Sequence, residues 1–525
     1  MPPAAATRYA PRGMVCSVDH LASQAGVSLL GQGGSAVDAA VGTAAVLAVT
    51  CPHLNGMGGD LFALVHEPGE AIPRALNSSG RAGSGADLTR LRLEGHTVMP
   101  FRGDVRSAPV PGVVDGWLAL HAELGHLPID VVLEAAIVYA TAGFPASPLL
   151  AAAQPQLFDV AGAEDLVRTR PLRAGDIVRR PGVGRALADI ARHGRAGFYE
   201  GEFGAGLLAL GRGEYVPDDL RTPLATWVEP LRARAWDHDL WTIPPNSQGY
   251  LTLLGAAIAD GLPLPDDIDD PAWAHLLVEA ARAAGHDRPA VLHEHADVGL
   301  LLAADEVARR RALVDPDRRS ELPTATAGGG TLHLCTADDE GRAVSLIQSN
   351  ASGFGSLVFE PATGIGLHNR GIGFGVDPDH PAAYGPGRRP PHTLSPAMVT
   401  RSDGSLRAAI GTMGGDSQPQ ILLQLLARFL HHDQSPGSAI AAPRWSLQGT
   451  TGFDTWTTTQ GLTLLLEHDA PAAWDAGLDA RGHRTVRATP DLAHAFGHAH
   501  LVAATPGGWA GAADPRAMVG AAAGW

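Results

Sequence analysis

Residues 331–349 restrict the fold more than any other stretch of this 525-residue chain. Thr331–Ala337 and Ala343–Ser349 read as two strands, and Asp338-Asp339-Glu340-Gly341-Arg342 between them reads as a five-residue hairpin loop. Pairing Ala337 with Ala343 sets Ser349 directly opposite Thr331. The hairpin follows the polar run Asp315–Ser320 and the loose run Ala325-Thr326-Ala327-Gly328-Gly329-Gly330, a segment easily exposed and cut. A sheet therefore begins where a cleavable linker ends. A second hairpin, Ala397–Thr400 with Ser405–Ile410, runs through Gly411-Thr412-Met413-Gly414-Gly415-Asp416-Ser417 into the apolar helix Ile421–Leu430. Two small residues thus sit at a strand-to-helix junction.

Ahead of these sheets the text is mostly helical. Leu21–Leu30 suits a helix that Gly31, Gly33 and Gly34 stop, and Ser35 with Asp38 three residues on caps the next one. The same glycines spell a dinucleotide-like string, but a helix precedes them where that motif requires a strand. Asn55-Gly56-Met57-Gly58-Gly59-Asp60 is a Gly-rich turn feeding the strand Leu61–His66. Helices follow at Val113–Leu124 and Val131–Thr141, and helices with Pro/Gly loops are predicted for most of Leu149–Arg319, with Pro244–Gly249 breaking the pattern before a helix from Tyr250. The class is α+β. At this length, with no spacer, two intimately packed lobes or subunits are expected.

A formal net charge of −16 leaves no basic stripe, which argues against nucleic acid and anionic membranes and for a small-molecule partner. All 39 basic residues are arginine, so a Schiff-base lysine, a pyridoxal-phosphate lysine and a P-loop lysine are excluded. Cys16, Cys51 and Cys335 match neither a disulfide framework nor a zinc site, and Cys335 reads as core. His293-Glu294-His295, read as helical, and His431-His432 diverge too far for a metal. No apolar h-region opens the chain and no run reaches a membrane span, so a cytoplasmic protein is expected.

The chemistry-bearing residues converge on Thr331. A threonine hydroxyl attacks a carbonyl only if a base takes its proton, and an N-terminal threonine carries that base as its own α-amine. The glycine tract behind supplies backbone freedom, and the strand ahead supplies rigidity. Ser349 is placed to orient the hydroxyl, and Gly414 and Gly415 to aim two N–H groups at an oxyanion. Locally, the same residues also read as a loop entering a hairpin, an ordinary Thr/Ser cross-strand pair and a tight strand-to-helix turn.

In combination they resemble the γ-glutamyltranspeptidase family along nearly the whole chain. Gly13-Met14-Val15 through His20-Leu21-Ala22-Ser23, Gly33 to Ala40 and Gly56-Met57-Gly58-Gly59-Asp60 are similar to its opening signature. Thr331-Leu332-His333 with Asp338–Val344 is similar to the start of its small subunit, Ser395-Pro396 with Gly414-Gly415 to its oxyanion block, and Asp514-Pro515-Arg516 before a terminal Gly-Trp to its ending. The resemblance implies a four-layer αββα sandwich and one precursor cut into a large subunit, 1–330, with the helical periphery and part of the sheets, and a small one, 331–525, led by the Thr331 nucleophile. Ser349 falls on the position of an assisting hydroxyl. Asn350 lies one residue before a family asparagine.

Departures shift the expected substrate. Gly373 stands where glutathione-type members use an aspartate for the glutamyl amine, His392-Thr393 replaces a serine pair, and Arg81 is offset by two residues from the glutamyl arginine. Ser345–Asn350 and His368-Asn369-Arg370-Gly371 look more like the subgroup containing oxamate amidohydrolase and cephalosporin-acylase-like proteins. The expectation is therefore an amidohydrolase or acyltransferase whose substrate, an amide or peptide-like small molecule bearing a carboxylate, meets Arg81, Asn350, Arg370, His392 and Thr393, without a cofactor or metal. Either arginine also suits a buried structural role. True γ-glutamyl transfer, C–C bond hydrolysis and a non-catalytic ligand binder stay open as alternatives, as does a higher oligomer.

Overall fold

The computed structural model describes residues 6–167, 170–322, 332–449, 455–456 and 462–525. Two seven-stranded antiparallel sheets lie face to face. The first runs Ala521–Gly524, Met14–Ser17, Leu332–Ala337, Ala343–Ser349, Asp60–His66, Arg74–Ser78 and Thr226–Val228. The second runs Arg8–Ala10, Gly508–Ala513, Ala499–Thr505, Leu406–Thr412, Ala397–Thr400, His238–Thr242 and Leu231–Ala235.

Alternation along each strand separates three hydrophobic layers. In Asp60–His66, Leu61, Ala63 and Val65 pack outward on helices, whereas Phe62 and Leu64 face the other sheet together with Cys16, Cys335, Ile347, Met398 and Ala409. The helices Ala36–Thr50 and Val113–Leu124 cover the first sheet, and Tyr250–Ala259, Pro271–Gly285 and Gln418–Leu426 cover the second. This is the expected αββα sandwich.

Several local expectations reappear atom by atom. Ser35 and Asp38 close the capping box, and the Asp338 carboxylate of the hairpin loop accepts from Ala36 N at 2.8 Å, tying that helix to the sheet. Ala337 opposes Ala343 and Leu332 opposes Gln348, as the loop length requires. Cys335 is buried core, its thiol pushed up by burial.

Two expectations are corrected. The region read as helices and loops up to Arg319 contains the strands Thr226–Val228, Leu231–Ala235 and His238–Thr242. Leu231–Ala235 alternates Arg outward and Ala inward, but its turn is built from Trp236 and Asp237 at φ +48° and +61°, without the glycine that usually marks such a hairpin. The polar run Asp315–Ser320, expected to form part of an easily exposed segment, is tied down through its backbone. Buried Glu279 accepts from Ser320 N at 2.8 Å, Arg282 donates to Ser320 O at 2.9 Å, and His275 bonds Asp315 O at 2.8 Å.

Burial also makes the fold acid-sensitive. His53, His392, His483 and His500 are each pushed down to about 3, chiefly by desolvation, from an ordinary 6.5. An unfolded chain protonates them as pH drops below 6.5 while the folded chain does not, so stability is lost across pH 6.5 to 3, on the order of 1 kcal/mol per unit for each buried ring. Thermal melts at pH 7 and pH 5 are expected to show a lower Tm at pH 5. Equal values would contradict this burial pattern.

Candidate active site

The Asp60–Ser349 row is the axis of the site. Asp60 begins its strand directly opposite Ser349, and the neighbouring strand pairs Leu332 with Gln348. Thr331 itself lies outside the described residues, as does the glycine tract before it. The hydroxyl of Ser349 accepts from Ala351 N at 2.8 Å. Asn350 donates to Pro52 O at 3.1 Å, and its side-chain oxygen has no hydrogen-bond partner among the described residues.

Across the sandwich, the Leu332–Ala337 strand steps along Leu406–Thr412 two residues at a time. The Cys335 thiol lies 3.4 Å from Ala409 O, and His333 packs under Gly411, where an added Cβ would come within 2.3 Å of the ring. Beyond Thr412 the chain turns through Gly414 at φ +137° and Gly415 at φ +59°, which only glycine adopts without strain, and enters the helix Gln418–Leu426.

Distant segments converge on Asp60. Its carboxylate accepts from Gly80 N at 2.7 Å and from His392 Nε2 at 2.9 Å, with His368 Nδ1 at 3.3 Å, and all three side chains are fully buried. Leu394 N donates to His392 Nδ1 at 3.2 Å, so Nε2 carries the proton shared with Asp60. Burial alone would raise the Asp60 carboxyl, but His368 and His392 outweigh it and hold it well below the ordinary aspartate range. Arg370 donates to Thr393 Oγ1 at 3.0 Å, and the Gln248 side-chain amide donates to both Thr393 O at 3.2 Å and Gly415 O at 3.0 Å. His392, Thr393, Arg370 and the glycine turn are thus one connected group. Sequence reasoning missed Asp60, His368 and Gln248 as site residues. The signal at Asp60 was an acid closing a Gly-rich turn at a strand start.

Arg81 is placed differently from a free carboxylate binder. It follows Gly80 but already donates to Glu294 at 2.6 Å and to Gly387 O at 2.8 Å. Glu294 lies past the short helix Arg288–Val291, in a turn and not in the helix expected of His293–His295, because that helix stops at Val291. His432 accepts from the Trp273 indole at 2.9 Å. His275, Glu279 and His483 have metal-like spacing, but Arg282 at 2.5 Å already neutralises Glu279.

Comparison with known proteins agrees with this architecture. A family model described as gamma-glutamyltranspeptidase matches residues 22–525. The chain is 35% identical over 533 residues to the oxamate amidohydrolase proenzyme of Klebsiella pneumoniae, covering 98% of each, and 36% identical over 460 residues to a glutathione hydrolase-like proenzyme, YwrD, of Bacillus subtilis, covering 84% of this chain and 86% of that one. The crystal structure of cephalosporin acylase from Bacillus halodurans superposes with a TM-score of 0.90 at 32% identity, covering 100% of this chain and 98% of the other.

Proposed function

The chain belongs to the γ-glutamyltranspeptidase family, and from that premise we propose that it cuts itself between Gly330 and Thr331 and uses the freed threonine on a carboxylate-bearing amide. It is an amidohydrolase or acyltransferase of that family. One observation supports this reading. The strand Leu332–Ala337 packs along Leu406–Thr412, Cys335 over Ala409 and His333 under Gly411, and so runs in the direction of the Gly414–Gly415 turn. Residue 331 is one peptide, about 3.8 Å between Cα atoms, from Leu332 in its register with Gln348.

In this reading the Thr331 hydroxyl attacks the amide carbon, and its proton passes to the α-amine. The Gly414 and Gly415 amides hold the oxyanion. The C–N bond then breaks as the ammonium returns the proton to the leaving nitrogen, and water, deprotonated by the same amine, releases the acid. Another amine in place of water gives transfer. Ser349 orients the threonine, while Asn350, Arg370, His392 and Thr393 line the acyl side and Arg81 stands at its rim with Glu294. The two fragments, 1–330 and 331–525, stay together because the Met14–Ser17, Ala343–Ser349 and Asp60–His66 strands share one sheet.

Oxamate, the substrate named for the Klebsiella relative, is the first compound to assay. Ammonia release from oxamate with little turnover of γ-glutamyl-p-nitroanilide is expected, since Gly373 and His392-Thr393 replace the glutamyl contacts. Brisk turnover of the anilide instead would make this a γ-glutamyl transferase. The expectation of a cytoplasmic enzyme is checked by cell fractionation; among the described residues no helix is long and apolar enough to cross a membrane.

A further inference from the structure

Self-cleavage makes a demand that turnover does not. In the proposed turnover the α-amine of Thr331 takes the hydroxyl proton. Before the cut that nitrogen is the amide of the Gly330–Thr331 peptide, whose lone pair is delocalised into the carbonyl and is not basic. The uncut chain therefore needs a different base, one that stands beside the Ser349 corner and has a nitrogen or oxygen to spare.

The turn at residues 51–55 brings such a group there. Gln348, opposite Leu332 in the sheet, donates to Asn55 Oδ1 at 2.6 Å. Asn350 N donates to Leu54 O at 3.2 Å, and Asn350 Nδ2 to Pro52 O at 3.1 Å. The turn is thus stitched to the residues on both sides of Ser349, with His53 at its centre. On the other sheet, His498 lies near enough for its ring to disfavour charge on His53, and His498 O accepts from Met413 N at 3.2 Å, immediately before Gly414. His53 is therefore a neighbour of the Ser349 corner and of the strand end that leads into the glycine turn.

The ring is only 5% exposed and packs against Phe354, centroids 6.4 Å apart. Neither of its nitrogens has a hydrogen-bond partner among the described residues. By contrast, His333 bonds the Ser345 hydroxyl, His368 bonds Pro109 O, and His392 bonds Asp60. Buried polar groups are ordinarily paired, so an imidazole with both nitrogens unbonded is open to a reacting group. Burial, with His498 adding to it, keeps the ring neutral, which leaves one nitrogen to accept a proton and one N–H to donate. The same burial penalises an isolated imidazolium. In the reaction the proton arrives as an oxyanion forms, and that opposite charge offsets the penalty.

We propose that His53 is the base of the self-cleavage. This rests on the reading of Thr331 as cut site and nucleophile. The Thr331 hydroxyl proton moves to His53 as Oγ bonds the carbonyl carbon of Gly330. The imidazolium then passes the proton to the nitrogen of residue 331 as the C–N bond breaks, and Gly330 is left as an ester on Thr331 Oγ. Water hydrolyses that ester to the Gly330 carboxylate and the free hydroxyl. The base role passes at that point from His53 to the released amine.

The test makes full-length wild type, His53→Gln and Thr331→Ala by cell-free translation and follows cutting over time by intact mass. Glutamine keeps a polar side chain at position 53 but supplies no base. His53→Gln is expected to be cut about 10²- to 10⁴-fold more slowly than wild type, while its uncut chain melts within a few degrees of uncut Thr331→Ala. Hydroxylamine, which attacks esters, is expected not to restore the rate, because the step lost is the one that makes the ester. Cutting at the wild-type rate, or full recovery with hydroxylamine, overturns the assignment. Where His53→Gln melts well below Thr331→Ala, His53→Asn is read in the same way, and a loss of cutting that tracks the fall in Tm across both variants overturns it too. A wild type that is cut and Thr331-dependent, with His53→Gln cut equally fast, defeats this inference alone, whereas an uncut or Thr331-independent wild type defeats the proposed function with it.

Discussion

Thr331→Ala is expected to leave a single uncut chain of 54.4 kDa and to lower amide turnover by roughly 10⁴- to 10⁶-fold, the scale on which enzymes lose rate when their nucleophile is removed. In the proposed mechanism both losses have one cause, because the hydroxyl that attacks the substrate also attacks the peptide carbonyl of Gly330. Thr331→Ser keeps a hydroxyl and is expected to be cut and to retain partial activity. Intact-mass measurement and ammonia release read the two effects separately. An alanine variant that matures and turns over normally would mean that the strand entry at Leu332 merely borders some other centre.

Asp60→Ala is expected to cost about 3–5 kcal/mol of stability, because it strips a buried carboxylate from Gly80 N–H and from two fully buried histidines. Activity falls with it. His392 leads directly into Thr393, which holds Arg370, so a shift of about 1 Å in that segment is enough for losses on the order of 10²-fold. Asp60→Asn keeps one acceptor and is expected to lose less, about 1–3 kcal/mol. The pH signature distinguishes this from a generic core defect. A carboxylate held below its unfolded value of 3.8 stabilises the fold above that pH and gives the stability up as pH falls below it, so wild type loses this contribution only in strong acid. The cost of Asp60→Ala, measured in urea, shrinks as pH is lowered through that range. A variant as stable and active as wild type would remove Asp60 from the site.

How much of this was legible depended on whether a feature was local. The Ala337–Ala343 register, the Ser35–Asp38 capping box, the helix from Tyr250 and the Gly414–Gly415 turn are each encoded within about twenty residues, and each is present. The edge strands escaped because three or four residues such as Arg8–Ala10, or Ala521–Gly524, carry too little alternation to read. The hairpin at Trp236-Asp237 escaped because it lacks a glycine. Partners far along the chain were hidden altogether. Nothing in the sequence joins Asp60 to His368 and His392, Arg81 to Glu294, or Ser320 to Glu279, since burial and charge pairing across the folded sandwich make those contacts. What short spacing did carry was the hairpin register that sets Leu332 opposite Gln348 and the glycine turn at Gly414 and Gly415.

The most direct measurement is intact-mass analysis of the purified wild-type chain with sequencing of the new amino terminus. Two fragments meeting at Gly330/Thr331, the second beginning Thr-Leu-His-Leu-Cys, are the result expected here. A chain that hydrolyses its amide substrate at full rate while still one piece, or one cut anywhere else, would contradict a catalytic amine and hydroxyl on residue 331.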